Sequence, residues 1–142
     1  MNTQNPTNSY KEIQIKTATP GKLIIMLYDG AIKHMNLAIE EIGKKHSGYE
    51  KASNSIIKVQ DIITELMVSL DFEKGEQIAK NLFSLYVYMN KRLVEANIEK
   101  NEKTLSEIKK HLSELRNAWA EAAAKTQTDT GNSASPSINI AG

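Results

Sequence analysis

Apolar residues recur along most of this chain at alternating three- and four-residue spacings, the period of a helix with one buried face. The first such segment carries more apolar side chains than one face requires. At about 100° per residue, Ile24, Leu27, Tyr28, Ala31, Ile32, Met35, Ala38, Ile39 and Ile42 crowd one broad side. Leu23, Met26 and Leu37 fall on or near the other, with Gly30 between the last two. Thr19 is placed to cap this helix, and Pro20 suits the first helical position, where no N–H is needed. The spacing predicts a helix from Thr19 to Lys45, ending near His46-Ser47-Gly48.

A second helix is expected to begin between Ser47 and Tyr49 and run to Leu70, on the stripe Ala52, Ile56, Val59, Ile63, Leu66 and Leu70. Asp71 to Gly75 reads as a turn. The third helix carries Ile78, Leu82, Leu85, Met89, Leu93 and Ala96, with Ala79 and Tyr86 on the same face. Asn97 to Asn101 breaks it, and Asn101 is a cap for the fourth. That helix has the stripe Leu105, Ile108, Leu112, Leu115, Trp119 and Ala122. The run Leu85-Tyr86-Val87-Tyr88 lies inside a longer helical period and is no strand.

Residues 1–17 are polar apart from Tyr10, Ile13 and Ile15, which predicts a flexible N-terminal segment. Residues 126–142 are small, polar and punctuated, which predicts a disordered tail. Between them, residues 18–125 form one domain. The expected fold is all-α, an antiparallel up-down four-helix bundle, because helices of similar length joined by short loops pack that way.

The third helix also has a second row, Phe83, Val87, Val94 and Ile98, spaced four, seven and four. Together the rows span roughly 220° of its circumference. A bundle helix has two close neighbours and cannot easily bury that arc, so a partner surface is expected. Ile57 and Val68 repeat the theme weakly on the second helix. Candidate contact residues are thus Met26, Gly30, Leu37, Phe83, Val87, Val94 and Ile98. Gly30 has two readings: it lets two helices approach, or it floors a shallow channel with Met26 and Leu37. Tyr88 projects away from both rows of the third helix and is a separate contact candidate.

Composition narrows the function further. The net charge of +1 offers nucleic acid no general attraction, and no Lys/Arg cluster is free of interleaved acids. The absence of cysteine excludes disulfides, thiolate catalysis and Cys-type metal sites. The N-terminus lacks the basic flank and apolar run of a secretion signal, and no apolar stretch reaches membrane-span length. A cytoplasmic protein without membrane insertion is expected. Di-iron bundles need Glu-x-x-His on two helices, and His34, His46 and His111 do not follow a Glu at that spacing. His111 reads as a surface partner of Glu107, and His34 as a boundary residue. No phosphate-cradling loop and no nucleophile with its base can be assembled, so neither an enzyme nor a cofactor is expected.

The residues also carry a resemblance. The pattern Tyr10-x-x-Ile13-x-Ile15-x-Thr17-Ala18-Thr19-Pro20, then Leu23-Ile24 and Met26-Leu27-Tyr28-Asp29-Gly30-Ala31-Ile32, closely resembles the flagellar export chaperones of the FliS family. So does the block Leu70-Asp71, Gly75, Ile78-Ala79, Asn81-Leu82, Leu85-Tyr86, Tyr88-Met89, Leu93 and Ala96-Asn97. Leu115-Arg116-Asn117-Ala118-Trp119 looks like the family's last helix. The likeness spans roughly residues 10 to 122. Val87 departs from it where the family often has an acid, and Lys74 precedes Gly75 where a second Gly is common.

The resemblance implies a helical bundle that binds the disordered C-terminal segment of flagellin, prevents early polymerisation, and hands the client to the flagellar type III export gate. Tyr10, Ile13 and Ile15 would then be either a lid over the client surface or a contact arm, and Tyr88 a contact for the export machinery. The competing reading is a structural or oligomeric bundle that self-associates through the same apolar rows.

Overall fold

A computed structural model describes residues 20–128. Helix α1 spans Pro20–Gly43, and a single 3₁₀ turn, Lys45–Gly48, leads into α2, Tyr49–Val68. Helix α3 spans Phe72–Glu99 and α4 spans Glu102–Thr128, with no strand among the described residues. Residue Thr19 lies outside the described residues. Helix α4 runs to Thr128, into the segment expected as a tail from 126. The Ala122-Ala123-Ala124 run, the best helix former, carries the helix past the last core position.

The ends are set by local chemistry. Asp71 caps α3, its Oδ1 accepting from the backbone N–H groups of Glu73 and Lys74 at 3.0 Å each. Asn101 caps α4 by accepting from the Thr104 N–H at 3.2 Å. Between these two helices the chain reverses through Lys100, left-handed at φ 53° and ψ 47°. Its ammonium bonds back to the Asn97 carbonyl at 2.7 Å.

Each long helix lies antiparallel to its neighbours. Ser53 near the start of α2 donates to Asn97 near the end of α3 at 2.8 Å. Arg116 of α4 grips Asp29 of α1 with Nε to Oδ1 at 2.8 Å. Gly30 of α1 faces Ile62 of α2, whose Cδ1 lies 3.5 Å from where a Cβ would stand. Helix α1 packs most extensively against α2 and α4, whereas α3 is held from α2 and α4 with fewer close approaches. Tyr28 of α1 and Tyr86 of α3, both buried, hydrogen-bond through their phenol oxygens at 2.5 Å across the middle of the bundle. Burial raises the ionisation of both phenols above the ordinary value of 10.0, and for Tyr28 the neighbouring Tyr86 adds to it.

The core joins Ile24, Ala31 and Met35 of α1 to Ile56, Val59, Ile63 and Leu66 of α2, Met89 and Leu93 of α3, and Leu105, Leu112 and Trp119 of α4. Each fully buried large aliphatic stabilises the fold by about 1.5–3 kcal/mol relative to exposure. Leu82, Leu85 and Leu115 are half-buried at its margin. One expected core residue is misplaced: Ile78 is 52 % exposed, and Ala79 closes against the core beside it. Just before Ile78, α3 is broken at Glu76, whose φ of 45° and ψ of −121° are not helical. Phe72–Gly75 is therefore a capped turn, much as the expected turn at 71–75, and the regular helix restarts after it. Glu76 is the position in this segment whose backbone suits glycine. On α4 the ion pair of His111 is with Glu114, Nδ1 to Oε1 at 3.9 Å, where Glu107 was the expected partner.

Candidate functional site

Two grooves flank α2. The first lies between α2 and α3, in the register set by the Ser53–Asn97 bond. Ile57 stands one turn beyond Ser53, and Val94 just under one turn before Asn97, so these exposed side chains border the same groove. Three turns further along, the pairing repeats with Val68 and Phe83. Phe83, Val87, Val94 and Ile98 are 41, 45, 46 and 79 % exposed, an apolar strip along the outer edge of α3. At the strip's end Phe83 stacks edge-on with Phe72 across the Glu76 break, ring centroids 5.9 Å apart. Asn90 sits on this strip between Val87 and Val94, and its buried Oδ1 has no hydrogen-bond partner among the described residues.

The second groove lies between α1 and α2. Met26, Gly30, His34 and Leu37 share one helix face of α1, at spacings of four, four and three. Met26 and Gly30 are half-buried and Leu37 is exposed. Because a methyl group on Gly30 would meet Ile62 at an ordinary contact distance, the glycine gives close approach without being sterically compelled. Further along, the groove opens into a cleft of about 260 Å³ lined by His34, Leu37, Glu41, Lys51, Asn54, Ser55 and Lys58.

Tyr88, 52 % exposed, is half-way toward the opposite side of α3 from the strip. It belongs to neither groove. Tyr10, Ile13 and Ile15 lie outside the described residues. Sequence reasoning gave Asn90 no role and read His34 only as a boundary residue, since a polar residue between apolar ones carries no signal that its atom will be buried unpaired. It also missed the exposure of Phe72 and Ile78, which lie on either side of the break at Glu76. The described residues bring no three His, Asp or Glu side chains together in a way that could hold a metal ion. No described helix is long and apolar enough to cross a membrane.

An all-helical bundle with apolar grooves and this sequence pattern has relatives. The sequence model of the family described as "Flagellar protein FliS" matches residues 3–126. The chain belongs to the FliS family. It is 34 % identical over 126 residues to the flagellar secretion chaperone FliS of Bacillus subtilis, covering 89 % of this chain and 92 % of the relative. The FliS of Salmonella typhimurium is 32 % identical over 134 residues, covering 88 % and 95 %. That of Campylobacter jejuni is 32 % identical over 114 residues, covering 80 % and 88 %. The FliS relatives are chaperones of flagellar secretion, and the family is not one of enzymes. Within it, the features to account for are two apolar grooves with a buried, unpartnered polar atom on each.

Proposed function

We propose that this chain is a cytoplasmic export chaperone whose client is the disordered C-terminal region of flagellin, and that it delivers this client to a component of the flagellar type III export gate. The reading is supported by membership of a family whose members are named flagellar secretion chaperones. The observation that carries the binding mode is the exposed strip of Phe83, Val87, Val94 and Ile98 facing Ile57 and Val68. An amphipathic helix laid in such a groove buries its apolar face there instead of against another subunit. The α1–α2 groove, with Met26, Gly30 and Leu37, gives a second run of the client a place on the other side of α2. Ordering a disordered client costs conformational entropy, so a large wrapped area yields moderate net affinity, which suits a cargo that must be released. Tyr88, off both grooves, is the residue assigned to the export gate.

The test is the double variant Val87→Asp/Val94→Asp, with binding to a flagellin C-terminal peptide measured by calorimetry and folding by circular dichroism. Both side chains are near half exposed, so helicity and melting should hardly change. Desolvating two carboxylates in the complex should weaken binding at least about tenfold, or about 1.4 kcal/mol. Unaltered binding would place the client elsewhere. A loss of self-association on a sizing column with no effect on the peptide would favour the oligomeric reading.

A further inference from the structure

The cleft at the wide end of the α1–α2 groove has a chemistry that the apolar strip lacks. Its lining carries two ammonium groups, Lys51 and Lys58, with the Asn54 amide and the Ser55 hydroxyl from α2 and His34 from α1, each able to donate. The one carboxylate in the lining, Glu41, is already held by Lys44 at 2.9 Å. Lys51 and Lys58 make no ion pair among the described residues. His34 Nδ1 is buried with no hydrogen-bond partner there, although buried polar atoms are nearly always paired. Leu37 and the lysine stems supply an apolar wall.

We propose that this cleft is a carboxylate subsite, which takes an acidic side chain of an amphipathic peptide lying along the α1–α2 groove. The acid would pair with Lys58 and Lys51 and accept a hydrogen bond from the His34 imidazole, while the peptide's neighbouring apolar residue packs on Leu37. Charge complementarity selects the acid: the groups facing His34 are Lys33 from its own helix, Lys51 and Lys58 from α2, and the engaged Glu41. In the free protein burial, then Lys58 and Lys33, push the imidazole below its ordinary 6.5, so it is neutral at pH 7. A bound carboxylate reverses that balance. The subsite rests on the groove being a peptide site, and its probes contain no flagellin sequence, so its failure leaves the flagellin reading to its own experiment.

The experiment follows the His34 ring protons by NMR against pH in the full chain, alone, with a Leu/Glu amphipathic helical peptide, with its Leu/Gln counterpart, and with glutarate. The Leu/Glu peptide should raise the His34 midpoint by about one pH unit or more and the Leu/Gln peptide should not. Lys58→Gln, at an exposed position, should leave helicity intact and abolish the preference for Glu over Gln. An unmoved midpoint, equal shifts with both peptides, or no perturbation of α1 and α2 amides at millimolar peptide would overturn the proposal. A full shift with glutarate alone would overturn the peptide as occupant.

Discussion

At the scale of single residues, two backbone positions carry opposite lessons. Gly48 ends the 3₁₀ turn under the last turn of α1, where a Cβ would overlap the Glu41 carbonyl oxygen and sit 2.8 Å from its carbon. Backbone cannot rotate aside as a side chain can. Gly48→Ala should therefore cost about 1–3 kcal/mol or more and lower the melting temperature by at least about 5 °C. A melt within about 1 °C of the parent would show that the connection gives way freely. Glu76 is the reverse case, a side chain where glycine belongs. Its φ of 45° and ψ of −121° strain any residue with a Cβ. Glu76→Gly should raise stability by about 1 kcal/mol or more, read as a higher urea midpoint. The control Gln77→Gly, one residue into the regular helix, should lower it by about 1 kcal/mol. If both variants lose stability alike, the break at 76 carries no strain.

At the scale of elements, α3 is the helix that matters most to the site and is held least tightly. Its first turn, Phe72 to Gly75, is separated from the rest by the break and secured by the Asp71 cap and the Phe72–Phe83 ring contact. Asp71→Ala should cost about 1 kcal/mol. It should also speed amide hydrogen exchange in 72–76, leaving the protection of 86–96 unchanged, because that stretch is anchored by Tyr86, Met89, Leu93 and Ala96 in the core. Exchange that accelerates along all of α3 would show that the helix opens as one unit. The ion pair Arg116–Asp29 joins α4 to α1, but its exposed groups limit it to well under about 1 kcal/mol. Apolar packing, not charge, holds the bundle together.

At the scale of the whole molecule, the Tyr28–Tyr86 bond ties the two helices that lie diagonally across the bundle. Both phenols stay protonated in the fold above their ordinary value of 10.0, whereas the unfolded chain releases its protons there. The stability they allow is therefore complete below pH 10 and falls as pH rises past it, at up to about 1.4 kcal/mol per unit for a phenol until the pH reaches its raised folded value. Tyr28→Phe/Tyr86→Phe removes both hydroxyls of the pair together, but it also takes the Tyr28 oxygen from the Trp119 indole N–H, so the cost at pH 8 should be about 1–3 kcal/mol. Urea midpoints between pH 8 and 11 should then fall less steeply than in the parent. An identical slope would mean that other groups govern alkaline unfolding.

Much of this architecture was legible before any coordinates. Helical periodicity is a local property, so the stripes through Ile56, Val59, Ile63 and Leu66 and through Leu105, Ile108 and Leu112 located α2 and α4. Asn101 announced the start of α4 by its capping chemistry. The excess apolar row on α3 was visible as an arc too wide for two neighbours. What the strip faces was not, because facing depends on the register between helices. That register is set by contacts far apart in sequence, such as Ser53 with Asn97 and Arg116 with Asp29. Only the packed bundle fixed that register, buried the unpaired atoms of Asn90 and His34, and left Ile78 exposed. Periodicity sets which side of a helix is apolar; the tertiary structure decides which apolar side is left uncovered.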